Sequence, residues 1–164
     1  MAAGIPGASL RGAPERPGAA DDTSVSTAKK PRLFVGCCAY SFSHYLKSGR
    51  MTMEDFILKA VELGVEGVDI TTYWLKSTEP AYLAELRRFA YRQGMPFSGA
   101  AIGTNMCLPE ASKRAQELAK IKQWVDRTDL LGASHLRIFG GELPPGATEE
   151  QGIEWVVEIM KPAA

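Results

Sequence analysis

The sequence predicts an α/β fold made of four strand–helix units, and three observations support this prediction. From Pro31 onward, short apolar runs alternate with segments whose apolar residues recur at helical spacing. The helical segments carry recognisable start and stop signals. The repeat is roughly 33 residues long, which is typical both of a βα barrel and of a doubly wound sheet. Periodicity alone leaves these two architectures open.

Four segments have the composition of strands in a parallel sheet, where apolar residues run almost continuously. The predicted strands are residues 33–40 (LFVGCCAY), 67–71 (GVDIT), 96–102 (PFSGAAI) and 135–139 (HLRIF). The third is the weakest of the four, because glycine, serine and alanine fill most of it. No glycine-rich phosphate-binding motif follows the first strand, so the sequence does not favour a nucleotide-binding Rossmann fold.

Each predicted strand is followed by a predicted amphipathic helix. The helices are residues 52–64, 80–94, 109–132 and a segment that begins at Thr148. Thr52 is a good N-cap, and Thr148 has a capping-box partner in Gln151. The residues predicted to be buried on these helices are Met53, Phe56, Ile57, Ala60 and Val61; Leu83, Leu86, Phe89 and Ala90; Ala111, Ala115, Leu118, Ile121 and Val125; and Ile153, Val156, Val157 and Met160.

The composition is that of an ordinary soluble domain. The 164 residues are 45% hydrophobic and 23% charged, with 19 basic and 19 acidic side chains, which predicts neither a nucleic-acid partner nor a membrane partner. No stretch approaches the roughly 18 apolar residues of a membrane span. The three cysteines form an odd set without metal-binding spacing, and this favours a reducing, cytoplasmic location.

The first thirty residues differ from the rest of the chain. They are rich in glycine, alanine, proline and serine, contain no aromatic side chain, and show no strand or helix periodicity. Such a segment cannot bury enough apolar surface to offset the entropy lost on ordering. We therefore expect a disordered leader over residues 1–30 and a folded domain over residues 31–164.

Several quoted segments, taken in order, resemble the N-terminal half of a known family. They are CAYSF, MTMEDFILKAVELGVEGVDITTYW, RAQELAKIKQWVDRTDLLGASHLRIFGG and TEEQGIEWVVE. Over about residues 33–161 the chain resembles the sugar phosphate isomerase/epimerase family, the xylose-isomerase-like TIM barrels. The resemblance implies that the chain holds strands 1–4 and helices 1–4 of a (β/α)8 barrel.

The resemblance also implies a reaction class. Complete barrels of this family transfer a proton on a sugar or sugar phosphate and use a divalent metal, here Mn, Mg, Co or Zn. Their metal ligands and acid/base carboxylates come mainly from strands five to eight, so this chain is expected to hold no metal site and to supply only the substrate-lining half. A histidine often found on the third barrel strand is also absent, because GAAIGTN stands there.

Two further interpretations stay open at this stage. The chain could be a non-catalytic, truncated half-barrel that pairs with a second copy or with a complementary C-terminal half. A flavodoxin-like binding module is the weaker alternative. In a half-barrel, the inner face and two edge strands would lack cover, so we expect Phe139, Ala101 and either Cys37 or Cys38 to meet water.

The candidate substrate-binding residues lie where the predicted strands end, because βα loops at the carboxyl ends of the strands build the active site of a TIM barrel. They are Tyr40, Thr71, Tyr73, Trp74 and Asn105. The aromatic residues could instead only cover the top of the barrel, and the asparagine could only stabilise a turn.

Four other residues are considered as candidates for the site. His44 lies in the first loop after a strand and is expected to be solvated, while His135 is expected to be structural at the bottom of the barrel. Gly140 and Gly141 would either allow close approach of a ligand or turn the chain.

Asp69 and Arg137 form a predicted pair. Alternation along the second strand places Val68 and Ile70 towards the helices, which turns Asp69 inward, and the same reasoning turns Arg137 inward on the fourth strand. Strands two and four contribute to the same layers of a barrel interior. The carboxylate and the guanidinium can therefore satisfy each other, either as a structural pair or as a sugar contact.

Overall fold

The computed structural model describes residues 33–163, which form a parallel sheet and five helices. The strands are β1 (Gly36–Cys38), β2 (Gly67–Thr71), β3 (Phe97–Ala101) and β4 (Leu136–Arg137). The helices are α1 (Ser43–Lys47), α2 (Met53–Glu62), α3 (Pro80–Arg92), α4 (Ala111–Leu131) and α5 (Glu149–Ala163). The predicted leader, residues 1–30, lies outside the described residues.

The strand order separates the two architectures that the sequence left open. The four strands lie side by side in the order β1–β2–β3–β4, and every neighbouring pair is parallel. A doubly wound sheet reverses its strand order at a switch point, whereas a βα barrel adds each strand beside the last. The described residues therefore have the topology of half a barrel, and the predicted fold class is confirmed.

The core lies between the helices and one face of the sheet. Val68 and Ile70 are fully buried in a cluster that includes Phe56 on α2 and Leu83 on α3. These helices bury their apolar stripes against the sheet, and the strand alternation predicted for β2 is correct. The opposite face of β2 consequently carries Asp69.

The capping signals predicted from the sequence are present. The hydroxyl of Thr52 accepts a hydrogen bond from the Asp55 backbone N–H (3.1 Å), and the Asp55 carboxylate accepts one from the Thr52 backbone N–H (2.9 Å). Hydrogen bonds from the backbone and then the side chain of Thr52 lower the pKa of Asp55. Thr148 and Gln151 make the same reciprocal pair at the start of α5. Local sequence thus fixes where α2 and α5 begin.

The first and fourth strands are much shorter than predicted. The run 33–40 contributes only Gly36–Cys38 to β1, because residues 39–42 turn into a 3-10 helix that leads into α1, a helix the sequence analysis missed. The run 135–139 contributes only Leu136–Arg137 to β4. Within the described residues both are edge strands with one neighbour each, so fewer backbone hydrogen bonds hold them extended.

Some residues predicted to be buried are exposed instead. They are Val61, Ala111, Ala115, Val125, Ile153, Val157 and Met160. On α4 the buried residues are Ile121, Trp124, Thr128 and Leu131, and on α5 they are Gly152 and Ile159. Helix α5 packs against α4, and no further helix follows it in the described part of the chain. Its apolar stripe is therefore wider than the surface that covers it.

No helix within residues 33–163 has both the length and the apolar character that crossing a membrane requires.

Candidate functional site

A cavity of about 710 Å³ opens at the carboxyl ends of the four strands. Its walls come from the ends of the strands and from the loops that follow them. The lining residues are Tyr40, Thr71, Tyr73, Ala101, Gly103, Thr104, Asn105, Arg137, Phe139, Gly140, Gly141 and Glu142. This is the edge of a parallel βα sheet at which ligands bind.

Five of the predicted site residues line this cavity together, namely Tyr40, Thr71, Tyr73, Asn105 and Arg137. They come from four different strand ends and are up to 97 positions apart in the sequence (137 − 40). The parallel sheet brings them together because the carboxyl ends of all four strands lie at one edge. Their role in binding a substrate stays a prediction.

Trp74, a sixth predicted residue, does not line this cavity but packs behind its wall. The centroid of its ring lies 5.7 Å from that of Tyr40 and 5.8 Å from that of Tyr73, the latter pair in an edge-to-face arrangement. Trp74 is itself partly buried against the core. It therefore holds the two tyrosine rings in position.

Gly103 lies directly beside the Tyr73 ring. A Cβ atom at this position would lie 3.2 Å from both Cε1 and the hydroxyl oxygen of Tyr73. The absence of a side chain on Gly103 lets the ring lie close to the backbone that follows β3.

Asp69 and Arg137 meet on the inward face, below the cavity. Arg137 Nη2 donates to Asp69 Oδ1 (3.3 Å), and the side chains are 46% and 21% exposed, respectively. The Cys38 thiol donates to the same carboxylate oxygen (3.5 Å), and Arg137 Nη2 also lies 3.6 Å from the Cys38 sulfur. The pair forms as hypothesised, whereas its role as a structural pair or a sugar contact stays a prediction.

Small residues on β3 make this pair possible. In the sheet register Asp69 lies opposite Gly99, and Ala101 lies opposite Arg137. Strand β3 separates β2 from β4, so a large inward side chain at either position would stand between the carboxylate and the guanidinium. The alanine at position 101 keeps the inward face low beside Arg137, and the space left by the glycine at position 99 is filled by the ring of His135.

The inward residues that were expected to meet water differ in their exposure. Cys38 faces inward and is half-buried, whereas Cys37 packs against the core, where burial and then the neighbouring Cys38 raise its pKa. Phe139 is 42% exposed, but Ala101 is buried, so the expectation that its methyl group meets water was wrong. Its neighbours in the sheet register, Thr71 and Arg137, are larger and flank it on both sides.

The loops after β3 and β4 interlock at the rim of the cavity. The Gly140 carbonyl accepts a hydrogen bond from the Met106 backbone N–H (2.8 Å), and Asn105 Oδ1 accepts one from the Cys107 backbone N–H (3.1 Å). Asn105 therefore stabilises a turn as well as lining the cavity. Gly141 has a φ of +99°, and a Cβ atom there would lie 2.7 Å from Asn105 Cγ. Both facts require glycine at this position.

Three polar residues of this site were not predicted from the sequence. The Thr104 hydroxyl donates to the Phe139 carbonyl (2.6 Å) and accepts from the Phe139 backbone N–H (2.7 Å), which extends the pairing of β3 and β4 beyond the strands. Glu142 lines the cavity, and Cys38 contacts the ion pair. Thr104 and Glu142 were detectable as polar residues after predicted strands. The inward direction of Cys38 depended on register.

The two histidines lie outside this cavity. The ring of His135 covers Gly99 on the inward face, where a Cβ atom on the glycine would lie 2.8 Å from His135 Cδ2. His44 lies on α1, and its Nε2 accepts a hydrogen bond from Arg50 Nη2 (2.6 Å). The prediction that His44 is only solvated was therefore incomplete.

Residues 33–163 contain no group of three or more histidine, cysteine, aspartate or glutamate side chains that could hold a metal ion. The described residues do not fit the divalent metal that the family resemblance implies. We assign no catalytic step to a metal, and the metal of the complete barrel stays a prediction.

Comparison with solved structures shows that the described fold is half of a TIM barrel. A D-psicose 3-epimerase solved in the presence of D-fructose superposes with a TM-score of 0.67 at 17% identity, covering 80% of this chain and 47% of that chain. A D-psicose 3-epimerase with D-tagatose, from Clostridium cellulolyticum H10, gives a TM-score of 0.59 at 16% identity. The match covers 80% of this chain and 48% of that chain. The chain thus spans about half the length of these structures.

The sequence identifies the family. The model of the xylose isomerase-like TIM barrel family matches residues 57–164, and the chain belongs to this family. The resemblance inferred from the quoted segments is confirmed. No curated protein sequence matches the chain.

The interlocked rim predicts a difference between two glycines. Gly141 and Gly146 both have positive φ (+99° and +87°), so an alanine at either position costs about 1–3 kcal/mol in backbone strain. Only at Gly141 does the new Cβ atom meet Asn105, since nothing lies within 4 Å at Gly146. We expect Gly141→Ala to lower the free energy of unfolding more than Gly146→Ala, as measured by urea denaturation. Equal losses would contradict the close packing of the two loops.

The exposure of the ion pair predicts a small coupling energy. We expect a double-mutant cycle of Asp69→Asn and Arg137→Gln, followed by urea denaturation, to give about 0.2–1 kcal/mol, because solvent screens a half-exposed guanidinium. A coupling of about 3 kcal/mol or more would show that the two charges are buried together, against the geometry described here.

Proposed function

We propose that this chain supplies the substrate-lining half of a sugar isomerase or epimerase, and that the 710 Å³ cavity binds a sugar or sugar phosphate. The convergence of aromatic rings and hydrogen-bonding groups from four strand ends is the observation that supports this proposal most directly. The cavity volume is in the range of small-molecule sites, about 300–1,000 Å³.

The lining provides both kinds of contact that a sugar needs. The rings of Tyr40 and Tyr73 offer apolar surface for the C–H face of a sugar ring. The Thr71 hydroxyl, the Asn105 amide and the Arg137 guanidinium can donate hydrogen bonds to hydroxyl oxygens. In this proposal these residues hold and orient the sugar, and we assign no acid, base or metal ligand among them.

Family membership supports the reaction class. The neighbours are epimerases solved with D-fructose and D-tagatose, which are both ketohexoses. At 16–17% identity they establish the fold alone, so sugar binding by this chain rests on its own cavity. We further propose a cytoplasmic location, because Cys37, Cys38 and Cys107 are all free thiols and such thiols are typical of a reducing compartment.

A second role, as a partner-dependent half-barrel, has its own support. Within residues 33–163, β1 and β4 each have a neighbour on one side only. Helix α5 exposes Ile153, Val157 and Met160 on the surface that would face a further strand–helix unit. We propose that a complementary half-barrel, or a second copy of the chain, covers these edges.

Sugar binding is tested by removing one wall of the cavity. We expect Tyr73→Ala to weaken binding of D-fructose about tenfold, because a lost aromatic contact is worth about 0.5–1.5 kcal/mol. The matched control is Tyr91→Ala, since Tyr91 lies on α3, is 84% exposed and is outside the cavity. Titration of the purified chain followed by NMR measures both variants. Equal affinities for wild type and Tyr73→Ala would contradict the proposed site.

The uncovered edges predict how the purified chain behaves. We expect sedimentation to show self-association, or a hydrophobic dye to bind the monomer, because free strand edges and apolar surface favour association or loose packing. Addition of the complementary half should abolish both. A compact monomer that binds no dye and unfolds cooperatively would contradict the half-barrel role.

A further inference from the structure

A second cavity of about 530 Å³ lies beside the first and has no role in the function proposed above. Its lining residues are Tyr40, Ser43, His44, Lys47, Tyr73 and Trp74. Tyr40 and Tyr73 line both cavities, so the two spaces share a wall of tyrosine rings. A ligand that passes over these two rings would touch both spaces.

The lining of the second cavity is aromatic and cationic. None of its six residues is acidic, and its permanently charged group is the Lys47 ammonium. Lys47 is exposed and makes no ion pair with any residue between 33 and 163. Its charge is thus available to a ligand, and a lysine ammonium is a common partner of phosphate.

Arg50 places a second positive charge beside this cavity. Its Nη2 donates to His44 Nε2 (2.6 Å), its Nε donates to Ser48 Oγ (3.2 Å), and its guanidinium lies 5.0 Å from the centroid of the Tyr45 ring. A guanidinium has no acceptor, so Arg50 is the donor in its contact with His44. The α1 region therefore presents hydrogen-bond donors and positive charge, both of which suit an anion.

The first cavity has a different charge balance. Its lining contains one cation, Arg137, and one carboxylate, Glu142, and Arg137 also contacts the carboxylate of Asp69. The positive charge of Arg137 is thus offset on the inward face, whereas the positive charge of Lys47 is not. The two cavities suit different parts of a ligand, a neutral polyhydroxyl part in the first and an anionic part in the second.

We propose that the second cavity is an anion subsite, which binds the phosphate group of a phosphorylated sugar whose hydroxyl groups lie in the first cavity. This inference rests on the proposed function, since it assigns the sugar portion to the same site. The tyrosine wall then contacts the ligand between its two parts, and Lys47 determines the preference for phosphorylated over free sugar.

The experiment compares four ligands on the full chain, followed by NMR titration. They are D-fructose, D-fructose 1-phosphate, D-fructose 6-phosphate and inorganic phosphate. We expect at least one phosphorylated sugar to bind about tenfold more tightly than D-fructose and than inorganic phosphate, with an advantage that declines as salt screens the charge. Equal affinity for D-fructose and both of its phosphates would overturn the proposal.

Two lysine variants assign the effect to the cavity. We expect Lys47→Ala to remove the advantage of the phosphorylated sugar and to leave the affinity for D-fructose unchanged. The matched control is Lys122→Ala, an exposed lysine on α4, which should change neither. A preference for phosphate that survives in Lys47→Ala would overturn the proposal. Circular dichroism verifies that both variants are folded.

The outcomes also separate this inference from the function on which it rests. Binding of D-fructose that depends on Tyr73, without any gain from phosphate, leaves the proposed function standing and overturns the anion subsite. Binding of inorganic phosphate that depends on Lys47, without any gain from the sugar, overturns both.

Discussion

The alternation of side chains along β2 is the constraint on which the rest of the structure depends. Val68 and Ile70 are buried among the helices, so Asp69 and Thr71 must point to the opposite face. Because the side-chain period of a strand is two, a shift of one residue would bury the carboxylate in the apolar core, where an uncompensated charge is very costly. Apolar burial on one face thus positions the polar groups on the other.

The polar inward face depends on residues that are small as much as on residues that are charged. Arg137 reaches Asp69 from two strands away beside the small side chain of Ala101, while the space left by Gly99 holds the ring of His135. Gly103 leaves room for the Tyr73 ring, and Gly141 leaves room for the side chain of Asn105. Glycine and alanine, which weaken strands and loops locally, are here the condition for contacts between distant segments.

The loops that follow the strands form two adjoining cavities at this face. The rings of Tyr40 and Tyr73 pack against Trp74, and they line both a space of balanced charge and a cationic space. The same half-barrel that builds this surface leaves two strand edges and the apolar stripe of α5 without cover in the described residues. The proposed substrate lining and the proposed need for a partner both follow from one topology.

The sequence by itself determined the features that depend on local periodicity and local chemistry. These are the four strand–helix units, the caps at Thr52 and Thr148, the inward direction of Asp69 and Arg137, and the strand-end position of most of the cavity lining. Each follows from residues only a few positions apart, and the family resemblance added the barrel to which the units belong.

Only the tertiary structure decided the features that depend on neighbours distant in the chain. The lengths of β1 and β4 follow from their positions at the edges of the sheet, and the exposure of Ile153 follows from the absence of cover over one side of α5 in the described residues. The contact of Thr104 with Phe139 and the cavity beside Lys47 arise from loops that the sheet brings together. A pattern of residues specifies which side of an element is apolar, but the packed fold decides what lies against it.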